Sequence, residues 1–170
     1  MTKSEMPEPW LRGTLTDVPP VHRAVLHALE LAKEDIQRWC GSLNDAQLNA
    51  RPTGVAPVAF HVRHIARSID RLLTYAEGTQ LSPEQLGVLK FELNEGATAA
   101  ETFSEFVRAI GQAAARIRAL VTTPLDTPRK VGRKELPTTV GGLLVHVADH
   151  TQRHVGQAIT TAKFVVGQKS

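Results

Sequence analysis

The chain has 170 residues, 42% hydrophobic and 22% charged, the proportions of one soluble globular domain and not of a collagen, a coiled coil or a disordered chain. Twenty Lys and Arg against 17 Asp and Glu leave a formal charge of +3, too small an excess to imply a nucleic-acid or membrane partner. No run of about 18 apolar residues occurs, which argues against a membrane-spanning helix, and Met1–Pro9 lacks the apolar stretch of a secretory signal. A single cysteine, Cys40, can form neither an intrachain disulfide nor half of a CxxC clip, so a reducing cytoplasm is the expected compartment. Cys40 follows Ile36 and Trp39 at helical spacing, which makes it a small core side chain before it is a nucleophile.

Residues 1–16 read as an N-terminal extension, with Trp10 expected to pack onto the end of the helical domain. The first periodic piece runs from about Val18 to Leu43. Val21, Ala24, Val25, Ala28, Leu29, Ala32, Ile36, Trp39 and Cys40 keep the i, i+3, i+4, i+7 rule of one apolar helix face. Asp17 is the expected cap, with Pro19 and Pro20 tolerated in the first turn. A second helix starts after Pro57 and stops at Gly78, on a stripe of Val58, Val62, Ile65, Ile69, Leu72, Leu73 and Ala76.

Ser82-Pro83-Glu84-Gln85 then opens a short extra helix reaching about Phe91. The third long helix begins at the capping-box spelling Thr98-Ala-Ala-Glu101. Its buried face is Phe103, Phe106, Val107, Ile110, Ala114, Ile117, Leu120 and Val121. Pro124 to Pro137 is a polar loop with room for a small hairpin. The basic run Arg129-Lys130-Val-Gly-Arg133-Lys134 within it reads as solvated, because no aromatic residues are interleaved for base stacking. The fourth helix starts near Thr138-Thr139 and runs to about Val166. Strand signals are otherwise absent, so the expected fold is all-α, a four-helix bundle in a single domain spanning 1–170.

Seven histidines matter more than the net charge. His146, His150 and His154 stand four residues apart on the fourth helix, a slowly drifting column on one face. Neighbours in such a column can bring two imidazole nitrogens to one ion, but the outer pair is about 12 Å apart along the axis. Another ligand must therefore come from another helix, and Phe60-His61-Val-Arg-His64 on the second helix offers two. Periodicity favours His61, about 60° from the centre of the apolar stripe against about 120° for His64. Three protein ligands would leave a coordination position open, the pattern of catalytic sites. Gln157 lies near His154 on almost the same face and could hydrogen-bond to it. Asp149 is expected to face away from the column, and Asp70 to pair on the surface.

The second-helix run His64-Ile-Ala-Arg-Ser-Ile-Asp-Arg-Leu-Leu and the late His146-Val-Ala-Asp-His150-Thr-Gln-Arg-His154-Val-Gly-Gln157 together resemble the DinB-like superfamily of DinB and YfiT-like metalloenzymes. The resemblance covers most of the chain: four helices in order, a long second connection and the terminal element. It implies a metal site of His64, His150 and His154, with His146 flanking and His61 behind the ligands. Where the family often has arginine after the last histidine, this chain has Val155.

The resemblance further implies a divalent metal, zinc or nickel first, iron or manganese next. It also implies a low-molecular-weight thiol such as bacillithiol or mycothiol. The family includes thiol-dependent S-transferases and a maleylpyruvate isomerase. The leading expectation is therefore a metal-dependent thiol S-transferase or hydrolase acting on a small-molecule electrophile, in a homodimer with neither nucleic-acid nor membrane partner. The alternatives are a metal- or ligand-binding bundle without catalysis, and a homodimeric interaction protein without metal.

Overall fold

The structure, a computed structural model, describes residues 6–90 and 96–167. The far end of the extra helix at Phe91 and the first five residues of the N-terminal extension lie outside the described residues, as does most of the Met1–Pro9 stretch read for a secretory signal. Four long helices, α1 (Pro20–Cys40), α3 (Val58–Ala76), α5 (Ala99–Ala119) and α6 (Val140–Gly167), form the bundle expected from the periodicity. Two short helices, α2 (Asp45–Asn49) and α4 (Pro83–Lys90), sit in the connections. No helix among the described residues is long and apolar enough to cross a membrane.

Side-chain pairs fix the directions of the four helices. Gln152 reaches the Ala28 carbonyl and Lys163 lies over the Trp39 ring, so α1 and α6 run parallel. Arg63 and Arg67 meet Glu105, and Asp70 meets Arg116, so α3 and α5 also run parallel. His61 faces His154 while His64 faces His150, which makes α3 and α6 antiparallel. The order is up, down, down, up. The two parallel neighbours α3 and α5 require the long connection that carries α4.

The core is built from the apolar stripes. Leu29 and Ile36 on α1, Ile65, Ile69 and Leu73 on α3, Phe106 and Ile117 on α5, and Leu144 on α6 are all nearly inaccessible. Each such burial contributes roughly 1.5–3 kcal/mol before the entropy of ordering is subtracted. Helix ends are set locally. Thr98 and Glu101 complete their capping box at α5, with the Glu101 amide 3.2 Å from Thr98 Oγ1. α3 stops at Gly78, whose φ of +87° suits a residue without a Cβ. There the Gly78 and Thr79 amides bond to the Tyr75 and Thr74 carbonyls, a Schellman closure.

Some expectations are corrected, while the small hairpin and the buried cysteine are borne out. Asp17 caps nothing: α1 begins at Pro20 with Pro19 in the cap position, because a proline at N1 supplies the helical φ unaided. α1 ends at Cys40, and the Asn44–Gln47 capping box starts the separate helix α2, whose five residues are too few to show a period. The polar loop is a hairpin of β1 (Pro128–Val131) and β2 (Leu136–Thr139), antiparallel. Thr138 and Thr139 therefore belong to β2, and α6 begins at Val140. Trp10 borders a shallow cavity with Pro20, Arg23 and His27 at the start of α1 but stays 62% exposed, with its indole N–H donating to Glu8. Cys40 is fully buried, and burial pushes its thiol up to about 12.

Candidate metal centre

α3 divides its surface three ways, and that division aims the histidines. Val58, Val62, Ile65, Ile69 and Leu73 enter the core. Arg63 and Arg67 turn outward to Glu105 at 3.3 and 2.8 Å, while Arg116 clamps Asp70 and Glu77 at 2.7 and 2.6 Å. These pairs pin α3 against α5 and leave His61, His64 and Ser68 facing α6. Asp70 is thus a surface pairing residue, as its sequence setting suggested.

On α6 the i, i+4 column delivers His150 and His154 to the same place. His64, His150 and His154 each offer a nitrogen, and those atoms all lie within 4.8 Å of one another. His64 Nε2 and His150 Nε2 are 3.3 Å apart. Two nitrogens about 2.0–2.1 Å from one tetrahedral zinc would stand roughly 3.3–3.4 Å from each other, so the spacing fits a shared ion. The rings are half-buried. Phe60 stacks on His64 with centroids 5.3 Å apart and planes at 18°, which fixes that ring.

His146, one turn earlier, touches the His150 ring at 5.4 Å but is exposed and lies 3.7 Å from Asp149. Asp149 is exposed and holds Arg153 at 2.7 Å, away from the cluster as expected. Gln157 is exposed and among the described residues bonds to neither neighbouring histidine, which corrects the role read for it. Val155, where the family often carries arginine, is buried in the core.

His61 is the inward histidine that periodicity selects, only 6% exposed, yet it is not one of the three that converge. Its Nδ1 lies 3.0 Å from His154 Nδ1. Burial, reinforced by His154 and His64, pushes His61 down to about 4 against the opposing pull of a hydrogen bond to the Ala56 backbone. The ring is therefore neutral at neutral pH, with one N–H and one lone pair. Across the 3.0 Å contact one of the two Nδ1 atoms donates and the other accepts. Burial, with His154, His64 and His146, likewise pushes His150 down to about 4. His150 therefore keeps a nitrogen lone pair available at neutral pH, the state a metal ion requires. The sequence showed no sign of the Ser68 hydroxyl at this site; it lies 3.2 Å from His64 Nε2.

The sequence pattern of the DinB superfamily matches residues 28–158. A crystal structure described as a conserved protein from Enterococcus faecalis has the same fold, with a TM-score of 0.60 and 21% identity over 86% of this chain and 98% of that one. No curated protein matches the chain. The superfamily match reaches into all four long helices and includes every member of the histidine cluster, and the chain belongs to the DinB superfamily.

Proposed function

We propose that His64, His150 and His154 hold a divalent metal ion, zinc or nickel, and that the protein is a metal-dependent enzyme acting on a small electrophile with a thiol or water. The observation that carries this reading is the convergence of three imidazole nitrogens from two helices within 4.8 Å. Three protein ligands leave a position beside the ion for a reactant. An ion held there lowers the pKa of a thiol or water placed next to it, which supplies a nucleophile near neutral pH.

The chain's own residues prepare that site. His61 Nδ1 meets His154 Nδ1 at 3.0 Å, Phe60 holds the His64 ring in plane, and the low proton affinity of His150 keeps its lone pair available. Membership of the DinB superfamily supports the metal-binding part of the reading. The test is thiol consumption by zinc- or nickel-loaded protein with a small alkylating electrophile. Turnover that requires the metal and disappears in His150→Ala supports the enzyme. Bound metal without turnover across thiols and hydrolysable esters favours a binding module instead.

A further inference from the structure

His64, Ser68 and Arg71 stand four and three residues apart, one column on the α6-facing side of α3. Arg71 Nη2 donates to Ser68 Oγ at 3.0 Å, and Ser68 Oγ lies 3.2 Å from His64 Nε2. Ser68 is only 5% exposed. Because the guanidinium can only donate, Ser68 receives that bond on a lone pair and keeps its O–H to offer to His64 Nε2 when that nitrogen carries a lone pair.

That arrangement cannot survive loading of the site. His64 Nε2 is the atom 3.3 Å from His150 Nε2, so its lone pair is the one a shared ion would take. Ser68 then loses its acceptor while remaining buried and still held by Arg71. A buried hydroxyl left without an acceptor is expensive, so its O–H turns either to its own helix carbonyl or to a ligand beside His64. The antiparallel register that faces His61 with His154 and His64 with His150 puts the Ser68 turn across from the His146 turn, where α6 is open to solvent.

The geometry points to Ser68, polarised by Arg71, as the receiver of an anionic ligand, the thiolate or carboxylate end of a small molecule, in the open position beside the three histidines. The inference rests on the metal reading above. An anion suits the place on charge as well. A bound divalent ion would bring positive charge, and the Arg71 guanidinium already donates to the same hydroxyl. Ser68 contributes the directed bond, and Arg71 acts through it as a positioning residue.

Cobalt-loaded protein, titrated with azide and separately with 2-mercaptoethanol while the visible bands of the metal are monitored, tests this. Ser68→Ala should take up cobalt with an unchanged ligand-free spectrum but bind azide and thiolate about tenfold more weakly. Arg71→Met should show part of that loss, and Ser68→Thr, which keeps the hydroxyl, should restore affinity. Equal anion affinity in Ser68→Ala and the parent protein would overturn the inference. That result would mean the hydroxyl merely turns to its own helix carbonyl. Loss of cobalt from Ser68→Ala would also overturn it, by making Ser68 part of the metal cage. Failure of the parent protein to take up cobalt would remove both this inference and the metal reading, whereas normal uptake with unaltered anion binding removes this inference alone.

Discussion

His61 Nδ1 and His154 Nδ1 face each other at 3.0 Å, a contact between two rings of which only one can donate. Whichever ring donates, His61 ties the Nδ1 edge of His154 in place beside the cluster. Partners of this kind orient a ligand imidazole and raise its basicity. His61→Gln and His61→Ala should each lower metal affinity by about 10–100-fold while leaving the helical content intact. Competition with a chromophoric chelator reads the affinity, and circular dichroism reads the fold. Unchanged affinity would show that His154 is held by its packing alone.

The depressed proton affinities of His61 and His150 couple folding to pH. Both fall from 6.5 to about 4 in the folded chain. Between those values the unfolded chain binds more protons than the folded one, so stability rises with pH across that window and is lost as pH falls through it. Thermal melts of metal-free protein should show a declining Tm from about pH 6.5 toward pH 4, and His150→Gln should flatten the decline.

Phe106 is 1% exposed in the middle of α5 and is among the largest fully buried side chains. Phe106→Ala should cost about 3–5 kcal/mol in urea unfolding, through lost transfer energy and the cavity left behind. Thr98→Ala removes one half of the α5 capping box and should cost about 1 kcal/mol. A larger effect for the cap than for the core residue would contradict the packing described above.

Cys40 has no exposed surface, and burial raises its thiol to about 12. A thiol-specific chromogenic reagent should label it only as fast as the protein unfolds, and promptly in denaturant. Rapid labelling of native protein would show that α1 opens at its C-terminal end.

The long helices were readable because each repeats its apolar stripe over five turns or more, as at Val58, Val62, Ile65, Ile69 and Leu73. Helix α2 was not, since five residues hold no period and its signal is only the Asn44–Gln47 box. The helix wheel placed His61 inward correctly, but depth is not convergence. His64, on the flank of the stripe, meets α6 because Arg63 and Arg67 bind Glu105 on the other side and set the rotation of α3. That rotation depends on a residue of α5 some forty positions away, which no reading of α3 alone contains. Ser68 was illegible for the same reason. Trp10 is only partly covered because the short turn that carries it meets no more than the start of α1.

The most direct test is the metal content of protein purified without a chelating tag, for the parent chain and for His64→Ala, His150→Ala, His154→Ala and His61→Ala. The arrangement predicts near-stoichiometric metal in the parent, loss in the first three variants, and weakened retention in His61→Ala. Metal that survives removal of His64 but vanishes with His61 would contradict the ligand set. A parent protein that holds no metal even after reconstitution with zinc or nickel would contradict the metal centre itself.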